Sequence, residues 1–272
     1  MRKLYVVHFS PSGSTEKIVK AVASEFSGLP VETINLLTPA SRKKSYTFGH
    51  DDIVIFGMIS AGKLFTLSEE IFACLHAEGT PFVGLITYGN AYYGIALKEL
   101  LERAEKSGFK VSSLAAFIAQ YSINSELGTG RPDDRDKEII REFARKSYDK
   151  ILSGDLTLHE LPKTSWSTWD KGNELIAFRE KHPEVPYTLP PEYKSKKISD
   201  DCIKCGTCVR NCPVDAIDID AKTFDTEKCI GCWGCINRCP KHAITSTSGE
   251  FAGIVRSFME ASSERREPDL LF

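Results

Sequence analysis

Eight of the nine cysteines in this 272-residue chain fall between Cys202 and Cys239. They form two runs, CIKCGTCVRNCP from Cys202 and CIGCWGCINRCP from Cys229, and each cysteine of the first returns 27 positions later in the second. Pro213/Pro240 and Ala216-Ile217/Ala243-Ile244 repeat at the same offset, so the segment is an internal duplication. Three thiolates spaced two residues apart on a tight loop converge on three irons of one cube. A fourth, beyond a short helical turn, points away. This C-x2-C-x2-C-x3-C-P pattern is that of [4Fe–4S] ligation, and in two-cluster modules the fourth cysteine serves the other cluster. On that pattern Cys202, Cys205, Cys208 and Cys239 hold one cluster, and Cys229, Cys232, Cys235 and Cys212 hold the other. Gly206 and Gly231 let backbone N–H groups approach sulfur, and such bonds help set the potential. Zinc, the competing chemistry, takes two well-separated Cys pairs, not three cysteines in quick series before a Cys-Pro. Trp233, between two ligands, either shields its cluster or packs on another domain. Cys74 lies on the apolar face of a helical stretch and reads as a core thiol.

A second chemistry is written near the N-terminus. Ser10-Pro11-Ser12-Gly13-Ser14-Thr15 follows a short β-rich run and opens a helical pattern. Hydroxyls and free N–H groups at a helix N-terminus make an anion site suited to a phosphate monoester. The alternative is a simple helix cap. The Gly-Lys-Ser/Thr signature and Gly-x-Gly-x-x-Gly are both missing, which disfavours a P-loop and a dinucleotide. Two further loops, Gly57–Lys63 and Thr87–Gly94, combine glycines that admit a flat ring with tyrosines that offer stacking faces. The candidate binding residues are Ser10, Ser12, Gly13, Ser14, Thr15, Met58, Ile59, Ser60, Ala61, Gly62, Thr87, Tyr88, Gly89, Asn90, Tyr92 and Tyr93. His8, within the first β-rich run, reads as a satisfied core histidine. No acid–base pair or nucleophile stands out.

The elements that must position these residues alternate. Strand patterns at 4–9, 31–36, 52–57, 82–87 and 111–118 are interleaved with helical patterns at 14–26, 67–77, 94–107 and 134–152. The alternation predicts an α/β, doubly wound, five-stranded parallel sheet over residues 1–152, with ligands at the carboxyl ends of its strands. Residues 153–198 are rich in proline and aromatics, including Trp166, Trp169, Phe178, Tyr187 and Tyr193. They read as an extended strap packed on the domains, one of whose aromatics could cover the ring edge. Residues 199–247 form a small α+β cluster-binding domain. In 248–272, Phe251, Ile254, Val255, Phe258 and Met259 line one helix face, suited to packing on the chain itself or on a second copy.

The composition is that of a globular protein, 42% hydrophobic and 26% charged, with a formal net charge of -2. It gives no general basic field for nucleic acid, and no apolar run approaches the roughly 20 residues of a membrane span. The short apolar run after the basic start argues against a signal peptide, so a cytoplasmic location is expected.

Residues 199–247 resemble a bacterial two-[4Fe–4S] ferredoxin. The three N-terminal loops resemble those of the flavodoxin family, with Pro11 as a departure and without the tryptophan that often stacks on flavin. Over nearly its full length the chain is similar to the EFR1-type ferredoxins, flavodoxin–ferredoxin fusions; Tyr88-Gly89-Asn90, Ala96-Leu97-Lys98-Glu99-Leu100 and Gly130-Arg131-Pro132-Asp133 carry this likeness. The resemblance implies FMN beside two [4Fe–4S] clusters, and single-electron exchange with redox partner proteins in anaerobic metabolism. An FMN-dependent reductase of a small acceptor, such as a quinone, oxygen or a metabolite, is the alternative. Seven acids face six bases in 199–247 and cluster ligation adds negative charge, so a partner with a basic patch is expected. A homodimer is a further expectation.

Overall fold

Apolar β-branched runs buried on both faces dictate a parallel sheet. In the computed structural model, which describes residues 2–185, 188–189, 191–247, 256, 260 and 262–272, five of these runs form one. They are β1 (Leu4–Phe9), β2 (Val31–Asn35), β4 (Ile53–Ile59), β6 (Pro81–Tyr88) and β7 (Lys110–Ile118). Their order, β2-β1-β4-β6-β7, is second, first, third, fourth, fifth along the chain, which is the flavodoxin-like arrangement. Every neighbouring pair among the five is parallel.

Helices cover both faces. On one, α1 (Ser14–Ala23) and α5 (Asp134–Leu152) bury Ile18, Val19, Val22, Ile140 and Phe143 against Leu4, Val6, Ile55 and Phe117. On the other lie α3 (Ser68–Ala73) and α4 (Ala96–Lys106), with Ile71, Phe72, Leu97 and Leu100 against Val7, Phe56 and Phe82. The one-turn α2 (Pro39–Arg42) leads into a small parallel pair, β3 (Tyr46–Phe48) and β5 (Leu75–Ala77). The latter interrupts the helix expected at 67–77. Cys74, at the end of α3, is buried and its thiol bonds to Ile71 O at 3.1 Å.

Two features depart from the sequence reading. The sheet has a sixth strand, β12 (Asp269–Leu271), antiparallel to β7. Three residues are too few to show a period. The strap contains a helix, α6 (Asp170–Lys181), rather than being wholly extended. Its inner face is Gly172, Ile176 and Arg179, so it presents a single apolar side chain to the interior and no apolar periodicity. The tail helix face proposed from Phe251 to Met259 lies outside the described residues. Among the described residues no helix is long and apolar enough to cross a membrane.

The second domain is built on its duplication. After the one-turn α7 (Pro191–Lys194), β8 (Lys196–Ile198) pairs antiparallel with β11 (Ile244–Ser246), so this domain begins within the strap as read from sequence. A central hairpin joins β9 (Ile217–Asp218) to β10 (Thr223–Phe224). The turns α8 (Thr207–Arg210) and α9 (Gly234–Asn237) occupy equivalent places, each carrying the third cysteine of its run.

Candidate functional site

The short turns α8 and α9 direct the cysteines into two groups. One small cavity is lined by Cys202, Cys205, Cys208 and Cys239, the other by Cys212, Cys229, Cys232 and Cys235. The fourth cysteine of each run therefore crosses to the other group. Both crossing thiols meet a backbone N–H four residues on, Ala216 N to Cys212 Sγ and Ala243 N to Cys239 Sγ, each at 3.3 Å. In the second group Gly231 N–H points at Cys229 Sγ at 3.5 Å, and Lys196 Nζ lies 3.4 Å from the same sulfur. Burial, aided by the neighbouring thiols, pushes the Cys232 and Cys235 thiols up to about 12. Iron binding must displace those protons. Trp233 lines the second cavity, so it stands against that group's sulfurs. The donor set, four cysteines per cavity with N–H groups aimed at sulfur, fits a cubane cluster in each.

At the carboxyl edge of the parallel sheet is a cavity of about 310 Å³. All three loops singled out from sequence reach it, through Ser12 and Ser14, then Ile59, Ser60, Ala61 and Gly62, then Thr87, Tyr88, Gly89 and Tyr92. The other candidates are engaged elsewhere. Ser10 Oγ accepts from Glu16 N–H at 3.0 Å, inside the first turn of α1. Gly13 is the left-handed N-cap of that helix, φ 94. Thr15 is buried with its hydroxyl 2.7 Å from that of Thr87, and Met58 is buried in the core. Asn90 Nδ2 donates to Ser262 O (3.0 Å) and Glu264 O (2.8 Å), and its Oδ1 accepts from Arg266 N. Tyr93 donates to Asp269 Oδ2 at 2.8 Å. Asn90 and Tyr93 thus hold residues 262–272 in place, a segment with no visible link to them in the sequence. His8 is buried as expected. Its two ring nitrogens, however, have no hydrogen-bond partner among the described residues, so it is not satisfied.

Sequence reasoning missed half the cavity wall. Tyr121, Ser122 and Ile123 follow β7, a position the strand-end rule could have flagged. Tyr121 packs on the third loop so closely that a Cβ on Gly89 would fall 2.7 Å from Tyr121 Cβ. Trp169, Leu175 and Arg179 come from the strap helix and its entry, and Thr188 and Leu189 from the segment beyond it. Of the strap aromatics considered, Trp169 reaches the cavity.

The second domain supplies the remaining wall, Gly231 and Cys232. It is seated on the sheet edge by specific bonds. Arg238 Nε and Nη2 donate to Pro11 O (2.5 Å) and Ser10 O (2.9 Å) of the first loop. Arg42 Nη2 donates to Pro213 O at 2.6 Å, and Asn237 Nδ2 to Ser122 O at 2.8 Å. Gly234 allows the contact, since a Cβ there would lie 2.9 Å from Pro11 O. The first loop contains no basic residue, yet Arg238 brings a guanidinium to it from more than 220 positions away.

The Ser12 and Ser14 hydroxyls, the α1 N-terminus and the nearby Arg238 charge make one end of the cavity suited to an anion. Tyr88, Tyr92, Tyr121 and Trp169 make its walls suited to a planar ring.

Residues 201–243 match the family model of the 4Fe-4S dicluster domain. With eight cysteines in two groups, this implies two [4Fe–4S] clusters. The N-terminal part is similar in structure to a flavodoxin from the domain Archaea, with 16% identity, 56% of this chain and 99% of that chain covered, and a TM-score of 0.39. It is also similar to the rubredoxin oxygen:oxidoreductase of the anaerobe Desulfovibrio gigas, with 16% identity, 57% of this chain and 37% of that one, and a TM-score of 0.40. An oxidoreductase from Corynebacterium diphtheriae gives 16% identity, 56% and 98% coverage, and a TM-score of 0.37. No curated protein matches the chain. A flavodoxin-like α/β domain followed by a small ferredoxin-like dicluster domain is an architecture for electron transfer.

Proposed function

We propose that the chain is an FMN-dependent electron carrier of the EFR1-type ferredoxin kind, exchanging single electrons with other redox proteins. The observation that carries this reading is Cys232, a thiol of the second cysteine group that also lines the sheet-edge cavity. A cluster held there and a ring held in the cavity would share Cys232 as a common wall, which would favour electron exchange between them. In this reading Ser12 and Ser14 hold the FMN phosphate, and Ile59–Gly62, Thr87–Gly89, Tyr92 and Tyr121 hold the ring. Bound FMN would supply a store for one or two electrons. The first group, with Cys205 exposed and Ile203 59% exposed beside it, serves as the outer terminal for a partner protein. The strap roofs the ring site with Trp169, Leu175 and Arg179, which favours electron exchange through the clusters over entry of a bulky acceptor.

The test is anaerobic reconstitution of the full chain with iron, sulfide and FMN, followed by rapid mixing with a one-electron reductant. About eight irons and one FMN per chain are expected. Cluster bleaching should precede flavin bleaching, at a flavin rate independent of protein concentration. Failure to retain FMN, or flavin reduction whose rate scales with protein concentration, would sink the reading.

A further inference from the structure

Among the described residues lining the cavity, Arg179 alone carries a permanent positive charge. It comes from outside the flavodoxin-like domain, on the inward stripe Gly172, Ile176, Arg179 of α6, and is 7% exposed. Its guanidinium donates to Ala61 O in the second loop. Gly62 has φ 75, and a Cβ there would collide with this guanidinium and lie 2.8 Å from Tyr92 Cε2. The small second loop thus brings the charge against the part of the cavity assigned to the ring.

We propose that Arg179 sets the redox preference of bound FMN. The inference rests on the reading of this cavity as the FMN site. Uptake of two electrons from the clusters and one proton from solvent leaves the flavin ring with one negative charge more than its oxidised form. A buried guanidinium beside the second loop stabilises that added charge and raises the flavin's two-electron potential.

The experiment compares full-length wild type, Arg179→Gln and Arg179→Lys, loaded with FMN and clusters, in an anaerobic spectroelectrochemical titration at fixed pH. Gln can still donate to Ala61 O but has no charge; Lys keeps the charge. Arg179→Gln should lower the preference for reduced over oxidised FMN by about tenfold or more, about 30 mV for two electrons, while Arg179→Lys retains most of the potential. Sulfite gives a second readout, because its sulfur lone pair bonds to the oxidised ring and leaves the ring negative. Its affinity should fall in parallel in Arg179→Gln only. Potential and sulfite affinity both within about twofold of wild type in Arg179→Gln would overturn the inference. If Arg179→Gln loses FMN, Arg179→Lys decides: FMN retained at the wild-type potential supports the charge, and FMN lost there too assigns Arg179 a structural role and overturns it. A wild-type chain that takes up no FMN overturns the reading of the cavity itself. FMN bound with an unshifted potential in Arg179→Gln overturns this inference alone.

Discussion

Trp233 stands where the first cysteine run has Gly206, and both adopt a left-handed backbone, φ 57 and φ 72. For an aromatic residue that conformation costs of order 1–3 kcal/mol. It is held by Asn237, whose backbone N–H and Nδ2 both donate to Trp233 O. The duplication thus keeps its backbone while exchanging a glycine for a ring that covers the second group. The crossing of Cys212 and Cys239 makes a sharp prediction. Cys212→Ser and Cys229→Ser should abolish the same EPR signal although they lie in different runs, and Cys205→Ser the other one. Iron should fall by about half in each case. His8 makes a second prediction. Burial holds its pKa below the ordinary 6.5, assisted by Lys20 and Arg238 and opposed by Glu16. The unfolded chain therefore binds more protons below 6.5, and stability drains away as pH falls from that value towards the lowered folded one. His8→Leu should flatten the thermal midpoint over this window, and an unchanged pH profile would refute the assignment.

At the scale of elements, α5 shows how a short motif becomes a joint. Asp133 caps the helix and shares a capping box with Asp136. Asp136, buried, accepts a bidentate pair from the equally buried Arg131. Arg265 reaches Asp133 at 2.6 Å, and Arg131 Nη2 also donates to Arg266 O at 3.1 Å. Asp136→Ala leaves Arg131 buried without its carboxylate and should cost about 3–5 kcal/mol in denaturant unfolding. This explains the Gly130–Asp133 stretch, which in the sequence pointed to kinship without showing a purpose. The five parallel strands were legible because runs such as Ile53–Ile59 are apolar throughout and end at small residues. The helix α6 was not, since the charge of Arg179 and the bare backbone of Gly172 occupy its inner face. Nor were Asn90 and Tyr93, whose residue types fit ring binding but whose partners lie in residues 262–272. The two cysteine runs were legible because their spacing is local. The cavity was half readable, because Trp169, Leu175 and Arg179 reach it only through tertiary structure.

Across the whole molecule, the two domains meet at loops that both carry chemistry. Pro11, a departure from common flavodoxin loops, packs against Gly234, beside the ligand Cys235. Arg238 precedes the ligand Cys239 and grips the carbonyls of Ser10 and Pro11. The second cysteine run and the first loop are therefore joined directly by hydrogen bonds. Arg238→Gln should weaken FMN binding about tenfold, equivalent to about 1.4 kcal/mol, with both clusters still present by EPR. Fluorescence quenching of FMN measures this directly, and equal affinity in the variant would show that the clasp is only structural.

The edge strand Asp269–Leu271 has a consequence for how the protein is made. A ribosome delivers the five parallel strands first, then the strap, then the cysteine runs, and only afterwards the residues that pair with Leu114–Ala116 and receive the hydrogen bonds of Asn90 and Tyr93. Until then the outer edge of β7 stays open and the third loop lacks its anchor. The outer edge of the sheet and the anchor of the third loop are therefore the last parts of the α/β domain to be completed.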